Sequence, residues 1–152
     1  MGWTNTHLHQ FIKDSTFYTP KMPDNFFMDD LNTKDYSKLK VSDLLKKEKD
    51  QVVYEYDFGD SWEHNIILEK ILEEDSRKYT PICLTGRNNC PPEDCGGVWG
   101  YYSLLETLQD PGHEEYENYL EWLGDDFDPK YFNKKEINEA LQTTNFGCLD
   151  YF

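Results

Sequence analysis

Between residues 51 and 68 apolar and polar positions alternate with a period of two, on both sides of one tight turn. Val52, Tyr54, Tyr56 and Phe58 fall on one side of the first run, and Val53, Glu55 and Asp57 on the other. After Gly59 and Asp60, the residues Trp62, His64, Ile66 and Leu68 share a side. Successive side chains of a strand point to opposite faces, so this pattern predicts a β-hairpin with strands at about 52–58 and 62–72. The loop length decides how the faces combine. A two-residue loop sets Asp57 opposite Trp62 and Glu55 opposite His64. A three-residue loop of Gly59, Asp60 and Ser61 pairs Phe58 with Trp62, Tyr56 with His64 and Tyr54 with Ile66. The second arrangement gathers the aromatic and aliphatic side chains on one face and the acids on the other. Burial favours this odd-length loop, against the presence of Ser61 where such loops usually take glycine.

Upstream, residues 7–12 fit a helix through Leu8, Phe11 and Ile12, or a strand in which Leu8, Gln10 and Ile12 alternate with His7, His9 and Phe11. The strand is the better reading, continued by Phe17 and Tyr18 after a polar break at 13–16. Residues 20–40 read as an irregular surface segment anchored by Phe26, Phe27 and Met28. Ser42 is placed to cap a short helix carrying Leu44 and Leu45. Proline, glycine and cysteine crowd the 81–100 region, which predicts a loop. Tyr101, Leu104, Leu105 and Leu108 then recur at helical spacing until Asp110-Pro111-Gly112. A second helix carries Tyr116, Tyr119, Leu120 and Leu123 and stops at Gly124. Asp128-Pro129 has the form of a cap and first-turn pair, and Asn133 with Glu136 that of a capping box for a last helix bearing Ile137 and Leu141. Strands precede helices without alternation. The expected class is α+β: an antiparallel sheet with a central hairpin, packed by C-terminal helices, in one domain over residues 1–152.

Charge narrows the partners. Thirty Asp and Glu against fifteen Lys and Arg leave a net charge of −15 in 152 residues. Nucleic-acid binding depends on clustered bases, so this balance argues against general DNA or RNA binding. Many of the acids fall between Glu106 and Asp128. They form either a solvated helix face or a docking surface for a basic protein or peptide. No apolar run approaches the roughly 18 residues that span a bilayer, and no signal peptide opens the chain, which points to a cytoplasmic protein. Four cysteines in that setting suggest thiols or metal ligands rather than disulfides.

Several motifs in order carry a resemblance. They are Tyr56-Asp57-Phe58-Gly59-Asp60-Ser61-Trp62-Glu63-His64, then Cys83-Leu84-Thr85-Gly86 and Cys90-Pro91-Pro92-Glu93-Asp94-Cys95-Gly96-Gly97. Asp110-Pro111-Gly112-His113-Glu114 and Trp122-Leu123-Gly124-Asp125-Asp126-Phe127-Asp128-Pro129 follow. Together they resemble the plasmid pRiA4b ORF-3-like family, whose members also travel as passengers of transposable elements. The resemblance implies an α+β fold and a plasmid or mobile-element setting, and it brings no established activity. Family members usually carry a strand and a helix ahead of the segment matching Met1-Gly2-Trp3. Either the start codon is placed late, the sequence is trimmed, or another chain supplies these pieces; the last case would leave an open sheet edge, which invites dimerisation or insolubility.

Three kinds of site compete. Cys83, Cys90 and Cys95, with His113 or His64 as a fourth ligand, could hold a structural zinc ion and clip the loop; three reduced thiols packed as small hydrophobes are the alternative. Asp57, Asp60, His64 and Glu93 could bind a divalent cation and activate water, as in a metal-dependent hydrolase acting on nucleic acid. Against this, Asp60 could simply order its turn, His64 could belong to the core, and no nucleophile with its base is defined. The third reading is a recognition surface where the Gly59-Asp60 turn meets the 90–97 loop, built from Asp57, Asp60, Trp62, His64, Glu93, Asp94 and Trp99. Trp99, set between glycines, is the aromatic best placed to be exposed. The expected function is a binding or accessory module, with the hydrolase second.

Overall fold

Asp14 and Ser15 both adopt left-handed backbone, with φ of 49° and 60°, and this pair reverses the chain. Short polar side chains tolerate that region better than others, and two such residues make the turn that matches strand twist. In the computed structural model, which describes residues 2–20, 32–73, 81–124, 127–146 and 148, the expected single strand with a polar break is therefore two antiparallel strands. They are β1 (His9–Lys13) and β2 (Thr16–Thr19). A three-residue strand, β3 (Thr33–Asp35), runs parallel to β2 inside the stretch read as irregular. Phe26, Phe27 and Met28 lie outside the described residues.

The chain divides into two compact units, His7–Ser76 and Met1–Thr6 with Arg77–Phe152. The first is the sheet, in the order β3-β2-β1-β4-β5. Its hairpin consists of β4 (Gln51–Tyr56) and β5 (Trp62–Ile67). Tyr56 pairs with Trp62, Tyr54 with His64 and Val52 with Ile66. The loop is odd in length, so the aromatic and aliphatic residues share a face as expected. It has five residues rather than three, which moves the register by two. Asp57 causes this. Its φ of 57° ends β4, and its carboxylate accepts from the amides of Gly59 (2.9 Å) and Asp60 (3.4 Å). Ser61, at φ 51°, closes the loop by donating to the Asp57 carbonyl. The hairpin is also not central, since β5 is outermost and β1 occupies the middle. β5 stops at Ile67 because its partner runs out: Leu68 donates to the Asp50 carbonyl and accepts from Lys49, whose φ of 72° turns the chain away.

One face of the sheet is buried by a single helical turn, α1 (Val41–Leu44). Leu44, Leu45 and Val52 form the core, with Phe11, Tyr18, Ile66 and Leu68 packed against them. Burying such a side chain stabilises by about 1.5–3 kcal/mol. Ser42 is not the cap: the Asp43 carboxylate takes the Lys40 amide at 2.7 Å, the reverse half of a capping box. Lys13 fixes α1 to the sheet by donating to the Leu44 carbonyl and pairing with Asp50 at 3.5 Å. On the other face Glu55 stands directly opposite Glu63. Like charges so placed repel, and Gln10 offsets part of the repulsion by donating to Glu55 at 2.6 Å.

The second unit holds α2 (Gly97–Thr107), α3 (Tyr116–Leu123) and α4 (Lys134–Ala140). Gly124, at φ 76°, ends α3 as expected, and Asn133 caps α4 by accepting from Lys135 and Glu136 while donating to the Glu136 carboxylate at 2.7 Å. Asp128 starts no helix; it takes the Lys130 amide at 2.8 Å and makes a turn. α2 begins four residues before the expected start, within the region read as loop. A Cβ on Gly100 would stand 2.0 Å from the Cys95 carbonyl oxygen, so this glycine is required by close backbone approach inside a helix. Among the described residues, no helix is long and apolar enough to cross a membrane.

Candidate functional site

The 90–94 loop is held by the start of the chain. The Trp3 indole N–H donates to the Pro91 carbonyl at 2.9 Å. Thr4 donates to Glu93 Oε1 twice, from its amide at 2.9 Å and from its hydroxyl at 3.0 Å. Charge-assisted bonds of this kind fix a carboxylate more firmly than neutral ones. Gly2 allows the approach: at φ 125°, a Cβ there would meet Cys90 Cβ at 2.7 Å. Trp3, Cys90, Glu93, Asp94, Trp122 and Phe127 help to line an open cleft of about 430 Å³ in this unit. That volume lies within the range of ordinary ligand sites. Trp122 is 48% exposed and leans on Tyr119, with ring centroids 6.2 Å apart.

Carboxylates line and flank the cleft. Glu93 and Asp94 sit in its wall, and α3 carries the exposed Glu117 and Glu121 ahead of its cleft residues Trp122 and Leu123. Among the described residues Glu114, Glu117 and Glu121 form no ion pair with Lys or Arg. Burial pushes the Cys90 thiol up to about 12; the positive charge of the N-terminus opposes this, and the charges of Glu93 and Cys95 add to it. Burial also raises the Tyr101 hydroxyl, with Cys95 and Cys90 adding to it. Cys90 is thus a protonated, unreactive thiol at neutral pH.

The expected site residues are distributed between the units. Asp57, Asp60, Trp62 and His64 belong to the sheet unit; Glu93, Asp94, Trp99 and the cysteines belong to the helical one. Asp57 is 8% exposed and serves the turn, and its second carboxylate oxygen lies 3.6 Å from His7 Nδ1. His64 lies on the apolar sheet face, with Nδ1 3.2 Å from the Tyr54 carbonyl. Asp57, Asp60 and His64 do not bring three ligand atoms within 4.8 Å of one another, nor do Cys83, Cys90, Cys95 and His113. Cys83 is drawn to α4 instead: its amide donates to Asn138 Oδ1 at 2.8 Å, and Asn138 returns a bond to its carbonyl. His113 Nδ1 accepts from the Glu115 amide at 3.1 Å. Asp94 is exposed at a φ of 56°. Trp99 is 85% exposed, as expected, though on the first turn of α2 rather than a loop.

Trp3, Thr4, Trp122 and Phe127 line the cleft and are absent from the site residues expected from sequence; for Trp3 a signal existed. The available signal was a tryptophan in the polar stretch Gly2 to Thr6, used by neither an alternating nor a helical pattern.

Comparison with known proteins agrees with this fold. The family model described as plasmid pRiA4b ORF-3-like protein matches residues 1–136. The uncharacterized protein y4hQ of Sinorhizobium fredii is 39% identical over 145 residues, covering 93% of this chain and 71% of that protein. The crystal structure of MM3350, a protein of unknown function from Methanosarcina mazei Go1, superposes with a TM-score of 0.71 at 39% identity. That match covers 88% of this chain and 74% of the other. With a family model matching residues 1–136 and a relative 39% identical over most of its length, the chain belongs to the plasmid pRiA4b ORF-3-like family.

Proposed function

We propose that this protein is a non-enzymatic recognition module, accessory to a plasmid or mobile element, which holds a segment of a protein partner in the cleft beside the 90–94 loop. The cleft itself carries the reading: an open, aromatic-lined site whose loop is pinned by Trp3 and Thr4 before any ligand arrives. A site ordered in advance loses less freedom on binding. The net charge of −15 favours a basic partner by attracting it at long range. Four free cysteines suit a reducing, cytoplasmic setting. The hydrolase reading has less support, because Asp57 is committed to its turn and His64 to the sheet face.

Selection from a random peptide library on the immobilised protein tests the proposal. Peptides sharing a motif should be enriched, and Trp122→Ala, which removes an exposed ring, should abolish their retention without unfolding the protein. Failure to enrich any motif, or equal retention by Trp122→Ala, would count against it.

A further inference from the structure

The residues lining the cleft select one kind of anchor. Aromatic rings attract cations through the negative potential of their faces, most strongly when water is partly excluded. Trp3, Trp122 and Phe127 supply three such rings, and Glu93 and Asp94 supply carboxylates in the same wall. A phosphate or carboxylate ligand would be repelled by those carboxylates, and an acyl chain would cover them with apolar surface at a cost in solvation. A cation satisfies both halves of the lining. Glu93 is already oriented, since both Thr4 bonds fall on Oε1. The exposed Glu117 and Glu121 extend the same sign of charge along the helix that carries Trp122, so the approach as well as the seat favours a positive group.

Resting on the recognition reading above, we propose that the cleft seats a single lysine or arginine side chain of the partner protein, its cationic head against the tryptophan rings and beside Glu93 and Asp94. The chemistry is that of an alkylammonium or guanidinium ion. A free polyamine offers the same ion, and the test separates the two sources.

The full-length chain is titrated by calorimetry with N-acetyl-arginine amide, N-acetyl-lysine amide, their neutral counterparts from citrulline and norleucine, spermidine, and the same basic residues set within short peptides. The basic amides should bind at least about tenfold more tightly than the neutral ones, the size expected for a cation on partly desolvated rings. Trp122→Ala should remove that preference. Glu93→Gln, which keeps an oxygen for Thr4 but loses the charge, should weaken cation binding severalfold and by more than it weakens binding of the neutral amides; Asp94→Asn provides an independent second variant. Peptides binding more tightly than spermidine support a protein-borne cation. Equal binding of citrulline and arginine, or spermidine binding above every peptide, overturns the proposal. Selected peptides that occupy the cleft without any basic residue would overturn the cation anchor and leave partner recognition standing. Binding of the amides with no peptide enrichment would do the reverse.

Discussion

Gly100 carries its information in what it lacks. Read in sequence, a glycine among Gly96, Gly97 and Trp99 signals a loop, yet it lies inside α2 where the Cys95 carbonyl leaves no room for a Cβ. Alanine would improve local helix propensity and still be harmful, since the opposing atom is backbone and cannot rotate away. Gly100→Ala should therefore lower stability by about 1–3 kcal/mol, the usual cost of overpacking, as measured by denaturant midpoint; an unchanged or raised midpoint would show that the approach is not required. Asp57 teaches the complementary lesson. In sequence it is a candidate cation ligand and surface residue because it stands in a turn among ionisable groups, but it is 8% exposed and its carboxylate accepts from the Gly59 and Asp60 amides. Residue type and turn position do not separate the two roles, because both call for a carboxylate beside a glycine. Glu93 belongs to a motif that stands out in the sequence. Its hold on Thr4 does not, because no local pattern links positions 89 apart.

At the level of elements, periodicity was the reliable guide and termini the weak one. The shared face of β4 and β5 follows from parity, which survives a loop of three or five residues. The register does not, because it depends on Asp57 leaving the strand early. α3 and α4 were legible from Gly124 and from the Asn133–Glu136 pair. β3 was not, having too few residues to alternate. On the buried side of the sheet His9 stacks on Tyr36 at 5.8 Å, with Nε2 2.6 Å from the Tyr36 hydroxyl. Burial, only partly opposed by a bond to the His7 backbone, lowers its pKa below the ordinary 6.5. The unfolded chain then binds a proton at a pH where the folded one does not. Stability from this residue is present above about pH 6.5 and is lost as pH falls below it. Urea unfolding of the sheet should show a lower midpoint at pH 5.5 than at pH 7.5, and His9→Gln should shrink that difference. An undiminished difference would assign the pH dependence to other groups.

Across the whole molecule, the acidity and the α+β class were plain from composition and element order, whereas the division into units was hidden. The first six residues group with residues 77 onward rather than with the strand that follows them. Sequence separation says nothing about such a pairing, which rests on an indole N–H, two threonine bonds and one glycine without a side chain. The cleft consequently joins Trp3 to Trp122, two aromatics that no spacing argument would place together. The most direct measurement is amide and indole NMR shift mapping of the full chain during titration with an arginine-bearing peptide. Recognition in the cleft requires the largest shifts at the Trp3 indole, Thr4, Asp94 and Trp122, saturating together. Shifts centred instead on Gly59 and Asp60, with those four signals unmoved, would contradict it.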